Sequence, residues 1–128
     1  MKKITKSFLG LIILIIALVV ILKILGVDLS LTGEGEYDQF AKCLAEKNIK
    51  MYGAFWCPHC LEQKKSFGKS WRYIDYIECS LPNKAQTPKC TQSGIESYPT
   101  WEFADGTRRE GIISLNELSS KSGCALPE

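Results

Sequence analysis

An apolar run from Phe8 to Leu22, interrupted only by Gly10, dominates the N-terminal end of the chain and continues past Lys23 through Ile24, Leu25 and Val27. A membrane-spanning helix needs roughly 20 such residues. Phe8–Val27 meets that length if Lys23 carries its ammonium to the far interface. Lys2, Lys3 and Lys6 precede the run, and the positive-inside rule then keeps the N-terminus cytoplasmic and sends the remainder across. A cleaved signal peptide would share the basic start and apolar core, but no A-x-A-like site follows, so the run reads as an uncleaved signal anchor over residues 1–27. Residues 28–36, with two glycines and two glutamates, read as a linker, which leaves 37–128 as one folded domain.

Within that domain the pattern alternates between two periods. Phe40, Ala41, Leu44 and Ala45 have helical spacing and predict a helix over Tyr37–Asn48. Ile49–Phe55 reads as a buried strand. Pro58–Ser70 reads as a helix whose apolar side includes Leu61 and Phe67. Arg72–Cys79, carrying Tyr73, Ile74, Tyr76 and Ile77, reads as a second strand. A polar loop follows over Leu81–Pro88, then a short helix over Lys89–Gly94. Thr100–Ala104 is a strand, Asp105-Gly106 a hairpin turn, and Thr107–Ile113 an edge strand. Ser114-Leu115-Asn116-Glu117 is a capping box that opens a last helix ending near Gly123. The order is β-α-β-α-β-β-α behind one extra helix. It predicts an α/β domain with a mixed four-stranded sheet, a right-handed parallel crossover first and an antiparallel pair last.

Charge and cysteine content narrow the functional classes. Sixteen Lys and Arg face 14 Asp and Glu, but four of the lysines flank the apolar run, so the remainder of the chain, linker included, is slightly acidic. No basic stripe for nucleic acid remains. Six cysteines in 128 residues are unusual for a reducing cytosol and point to an oxidising compartment. The topology implied by the anchor places them in such a compartment, outside the cytoplasmic membrane.

The chemistry concentrates in Gly53-Ala54-Phe55-Trp56-Cys57-Pro58-His59-Cys60, a C-x-x-C pair where a strand gives way to a helix. Both cysteines then fall in the first helical turn. Unpaired N–H groups and the positive end of the helix dipole favour the thiolate there, and thiolate is the reactive form. Pro58 suits the first helical position, where its missing N–H costs nothing. Cys57, first in the motif and more accessible, is the expected nucleophile; Cys60, one turn further in, is the resolving thiol. An imidazolium at His59 would stabilise the Cys57 thiolate and make the disulfide a stronger oxidant. A zinc site needs four ligands, commonly in two tight pairs. His59 is the only histidine, and Cys79 and Cys90 lie far apart in sequence, so no metal is expected, nor any other cofactor.

At these residues the chain resembles thioredoxin-fold proteins. The resemblance rests on Phe55-Trp56-Cys57-Pro58-His59-Cys60 after a strand and on Gly94-Ile95-Glu96-Ser97-Tyr98-Pro99-Thr100 before the next, and it covers Ile49–Lys121. More narrowly, the chain is similar to the thioredoxin-like domain attached to bacterial vitamin K epoxide reductase homologues, where a membrane helix also leads into W-C-P-H-C and Y-P-T-W. The resemblance implies a cis Pro99 opposite the cysteine pair. It also implies that the Tyr98 backbone pairs with an extended substrate. Trp56 reads as exposed surface beside the motif, with a core tryptophan as the alternative. Trp101 and Phe103 alternate on a strand and read as packing. Many relatives carry a buried carboxylate six residues before the first motif cysteine. Here that position is Met51, so the usual proton acceptor for the resolving thiol is missing or lies elsewhere.

Cys43, Cys79, Cys90 and Cys124 allow three pairings. A local Cys79–Cys90 bridge is easy, and Cys43–Cys124 would staple the domain ends; the resemblance implies the same pairing. A relay of electrons through one of these pairs is the rival reading. The expectation is a membrane-anchored extracytoplasmic thiol–disulfide oxidoreductase that forms disulfides in secreted proteins. A vitamin K epoxide reductase-like membrane enzyme is the expected reoxidant. The alternatives are a reductase or isomerase fed by a membrane electron donor, and a non-catalytic peptide-binding module.

Overall fold

The structure, a computed structural model, describes residues 2–25 and 33–128. Contacts divide the chain into two units, Met1–Gly33 and Glu34–Glu128. The first holds helix α1 (Lys2–Ile24), on which the apolar side chains described from Phe8 onward, among them Phe8, Leu14, Leu18 and Ile21, are largely exposed. Among the described residues no helix is long and apolar enough to cross a membrane. The expected span reached Val27, but Gly26 and Val27 lie outside the described residues, as does the 28–32 part of the linker.

The second unit contains α2 (Asp38–Glu46), β1 (Lys50–Gly53), α3 (Pro58–Phe67), a 3-10 helix (Gly68–Tyr73) and β2 (Asp75–Glu78). It continues with α4 (Pro88–Gln92), β3 (Thr100–Glu102), β4 (Arg108–Glu110) and α5 (Leu115–Ser122). The four strands form one mixed sheet in the order β2-β1-β3-β4. β1 runs parallel to β2, with Met51 opposite Tyr76 and Gly53 opposite Glu78. β1 is antiparallel to β3, with Met51 opposite Trp101, and β3 is antiparallel to β4. This is a mixed α/β sheet compatible with a thioredoxin-like fold.

The main core contains Phe40, Ala41 and Leu44 from α2, Met51 from β1, Phe67 from α3, Trp101 from β3 and Leu118 from α5. Burying each of the large aliphatic or aromatic side chains contributes about 1.5–3 kcal/mol. Phe67 is the hub, with ring centroids 6.0 Å from Phe40, 5.8 Å from Trp71 and 6.1 Å from Trp101.

Several elements are shorter than the sequence pattern suggests, for identifiable reasons. β1 stops at Gly53, and Phe55, expected in the buried strand, sits half-exposed in the following turn. α3 stops at Phe67 because Gly68 has φ 55°, a conformation glycine adopts without a Cβ penalty. The chain then forms a 3-10 helix through Tyr73, so Arg72 and Tyr73, expected in β2, are not in the sheet. That helix is held by Trp71 packing edge-on to Phe67 and Tyr76 and by an Arg72–Asp38 ion pair of 2.8 Å. Ile113 leaves the expected edge strand because a side chain, Gln63, takes up its backbone N–H and carbonyl. At α5, Ser114 accepts from the Glu117 N–H at 3.1 Å. The Glu117 carboxylate instead accepts from Arg109, also at 3.1 Å, so only half of the expected reciprocal cap forms.

Candidate active site

The site is built where β1 runs out. Gly53 ends the strand, and a Cβ at this position would lie 2.9 Å from Cys60 Sγ and 2.9 Å from Tyr76 Cε2. Only a glycine lets the sulfur and the ring close over the backbone here. A turn follows, fastened by the Cys57 N–H donating to the Ala54 carbonyl at 3.0 Å, and α3 begins at Pro58.

Cys57 is not inside the first helical turn, as the motif suggested, but is its N-cap. Its sulfur accepts from the Cys60 N–H at 3.4 Å, the role a serine or aspartate oxygen commonly plays. Such a donor stabilises negative charge on that sulfur. The Cys57 thiol in turn donates to the Tyr98 carbonyl at 3.6 Å. Cys57 is also less accessible than its place in the motif implied, only 5% exposed against 0% for Cys60. The order of exposure follows the expectation, yet both sulfurs are recessed because the chain around Tyr98 lies over the first. Both cysteines are free thiols in this structure.

Pro58 occupies the first helical position and His59 the second; both are exposed. Tyr98–Pro99 is a cis peptide bond, and Pro99 is buried. Trp56 stands 40% exposed at the tip of the turn. Its indole N–H donates to Ser80 Oγ at 2.7 Å, and its ring meets Tyr98 edge-on at 6.2 Å. The Tyr98 hydroxyl accepts from Gln86 at 2.8 Å. The structure thus brings Trp56, Cys57, Cys60, Tyr98 and Pro99 into one site, with His59 on its solvent side. Phe55 and Leu61, also exposed, extend the apolar surface around the motif.

The remaining cysteines form two bridges. Cys43 at α2 joins Cys124 after α5, and Cys79 after β2 joins Cys90 in α4. The first lies in the main core. The second belongs to a smaller cluster with Tyr52 and Ile95, against which Tyr98 also packs.

The inner thiol is held in its protonated form. Burial, then the hydrogen bond with Cys57, pushes the Cys60 thiol from 9.0 up to about 12, against weaker opposing effects of the Ala54 backbone and Lys64. Cys60 therefore holds its proton tightly near neutrality, and any reaction in which it attacks needs a place for that proton. Tyr76 is raised well above its ordinary value, first by burial and then by its hydrogen bond to Glu78.

Two features escaped the sequence pattern. Leu61, expected on the apolar side of α3, is 44% exposed, while Gln63 is fully buried. Gln63 Oε1 accepts from the Ile113 N–H at 2.8 Å and the Trp101 indole N–H at 3.3 Å, and its amide donates to the Ile113 carbonyl at 3.0 Å. It ties the motif helix to β3 and to the segment entering α5. The other is Glu78, whose carboxylate accepts from the backbone N–H groups of Phe55 and Ser80 and from the Tyr76 hydroxyl. The only sequence signal for it was its two-residue offset from Tyr76 on a strand. A cavity of about 370 Å³ lined by Lys47, Ile49, Phe103 and Lys121 includes none of the motif residues. Among the described residues no cluster of His, Cys, Asp and Glu suited to a metal ion is present.

This arrangement can carry out dithiol–disulfide exchange: a capped, donor-supported sulfur in front of a buried partner thiol. The chain is similar to a thiol–disulfide oxidoreductase. One relative is the Arabidopsis thaliana protein named Thiol-disulfide oxidoreductase LTO1, 40% identical over 93 residues. The match covers 69% of this chain but 24% of the relative, so the chain spans about a quarter of that protein's length. No protein-family model matches the chain.

Proposed function

We propose that this chain is a thiol–disulfide oxidoreductase working through Cys57 and Cys60, and that it donates disulfides to the thiols of secreted proteins. The observation that carries the reading is the selective state of the cysteines. Four are bridged, while the two at the start of α3 are free and one of them caps the helix with its sulfur. The similarity to a relative bearing that activity in its name supports it. In the donating direction a substrate thiolate attacks the Cys57 sulfur and Cys60 leaves as the reduced thiol. A second substrate thiolate then attacks its partner sulfur in the mixed disulfide, closing the substrate disulfide and releasing Cys57. Trp56, Phe55 and Tyr98 provide surface for the substrate, and the chain at Tyr98–Pro99 provides backbone for it to pair with. His59, on the solvent side, adds positive charge when protonated and raises the oxidising power of the pair.

The proposal includes a membrane anchor outside which the domain works. Its support is the lysine-led apolar sequence Phe8–Val27 and the exposure of the apolar side chains described along α1 from Phe8 onward, an arrangement that calls for an apolar surrounding. Tethering raises the effective concentration toward a membrane partner. The resemblance to domains attached to vitamin K epoxide reductase homologues makes an enzyme of that kind the proposed reoxidant.

The deciding experiment is a redox titration of Cys57–Cys60 in the full chain against glutathione. A disulfide donor should lie at about −120 to −200 mV, whereas a value at or below about −270 mV would turn the reading to a reductase. In native membranes Cys60→Ser should accumulate mixed disulfides at Cys57. Recovery of no Cys57-linked protein would count against the oxidoreductase itself.

A further inference from the structure

The position six residues before Cys57 holds Met51, which cannot take a proton, yet Cys60 must lose one whenever it attacks. The neighbouring strand supplies a carboxylate instead. Met51 pairs with Tyr76 and Gly53 with Glu78, so all four residues share one face of the sheet. Tyr76 Cε2 and Cys60 Sγ each lie 2.9 Å from the point a Gly53 Cβ would occupy, and Cε2 adjoins the ring carbon that bears the hydroxyl. That hydroxyl donates to Glu78 Oε2 at 2.8 Å. Glu78 Oε1 is fixed by the Ser80 N–H at 2.9 Å and the Phe55 N–H at 3.2 Å, inside the motif turn itself.

We propose that Glu78, acting through the Tyr76 hydroxyl, accepts the proton that Cys60 gives up when it resolves a mixed disulfide at Cys57. The inference rests on the oxidoreductase reading above. In the step, the Cys60 proton passes by way of one water to the Tyr76 oxygen while the Tyr76 proton passes to the Glu78 carboxylate and on to solvent. The Cys60 electron pair forms the bond to Cys57 sulfur, and the bond from Cys57 to the partner breaks, its electrons leaving with the partner thiolate. The charged and titratable groups facing this assembly are few. From α3, Lys64 Nζ lies 4.1 Å over the Tyr76 ring and favours the Cys60 thiolate, and Cys57 stands at the helix start. β1 presents Met51 and Gly53 and the 3-10 helix presents Trp71, none of which titrates. Tyr76 is the conduit and Glu78 acts through it, so both are positioning and proton-accepting groups rather than reacting ones.

The test uses the reduced full chain with its two other bridges intact and an excess of the aromatic disulfide 5,5′-dithiobis(2-nitrobenzoate). The first thionitrobenzoate released reports attack by Cys57, and the second reports attack by Cys60 on the mixed disulfide. Glu78→Gln and Tyr76→Phe should leave the first phase unchanged. Both should slow the second phase near neutral pH by roughly 100-fold, the scale of a lost general base. The deficit should close as pH rises toward about 12, where Cys60 ionises unaided. Glu78→Asp should keep the wild-type pH profile, and added imidazole should restore the Glu78→Gln rate. Second phases with wild-type rates and pH profiles in both variants would overturn the proposal while leaving the function intact. A wild-type chain that releases no thionitrobenzoate would overturn both. If Glu78→Gln fails to fold, Tyr76→Phe, which keeps the ring packing, decides on the same readout.

Discussion

Replacing Gln63 by leucine should destabilise this domain strongly, although the change turns a polar residue into an apolar one of similar size at a fully buried position. The leucine would strand three groups that Gln63 now satisfies: the Ile113 N–H, the Ile113 carbonyl and the Trp101 indole N–H. Each costs about 1–3 kcal/mol when buried without a partner. Together the three cost about 3–9 kcal/mol, a large share of the roughly 5–15 kcal/mol that holds a typical domain together. The gain from a buried leucine offsets part of this, about 1.5–3 kcal/mol at most, and that gain falls as the cavity fits it poorly. The control is Leu61→Gln, two residues earlier on the same helix and 44% exposed, which should change stability by no more than about 0.5 kcal/mol. Urea unfolding of both variants, followed by tryptophan fluorescence with all disulfides intact, gives the comparison. A Gln63→Leu variant as stable as wild type, or a Leu61→Gln variant that loses more than it, would refute the assignment of the buried face of α3.

The two bridges should contribute unequally. Removing Cys43–Cys124, which spans 81 positions, should cost about 4–5 kcal/mol in the chain-entropy limit, and removing Cys79–Cys90, which spans 11, about 3 kcal/mol; denaturation of the paired serine variants checks the order. Alkaline pH should weaken the reduced domain more than the oxidised one. The Cys60 thiol is raised when folded, so its stabilisation is complete below about 9.0 and is lost as pH rises toward about 12. Urea midpoints of the two redox forms should therefore diverge across that window, and parallel curves would remove Cys60 as the cause. An alkaline carbonate wash of membranes should leave the full chain in the pellet if Phe8–Val27 is an anchor, and quantitative release would end that proposal.

The sequence by itself determined what depends on neighbours along the chain. The alternation of periods set the order of helices and strands. Pro58 after Cys57 marked where α3 begins, Ser114 marked the cap of α5, and the C-x-x-C spacing put two thiols one helical turn apart. Tertiary structure decided what depends on which groups meet across the fold. Leu61 and Gln63 both fit a helical pattern, but only the arrival of Ile113 and Trp101 made a buried amide cheaper than a buried leucine. Arg72 and Tyr73 look like strand residues, yet Asp38 and the aromatic ring of Phe67 drew that segment into a 3-10 helix. Glu78 reads as an ordinary strand carboxylate until parallel pairing with β1 sets it beside the motif turn and links it through Tyr76 to the neighbourhood of Cys60. Spacing along a chain fixes the period of each element, but the energy of a polar group depends on the partner it finds once water is gone, and those partners come from distant sequence.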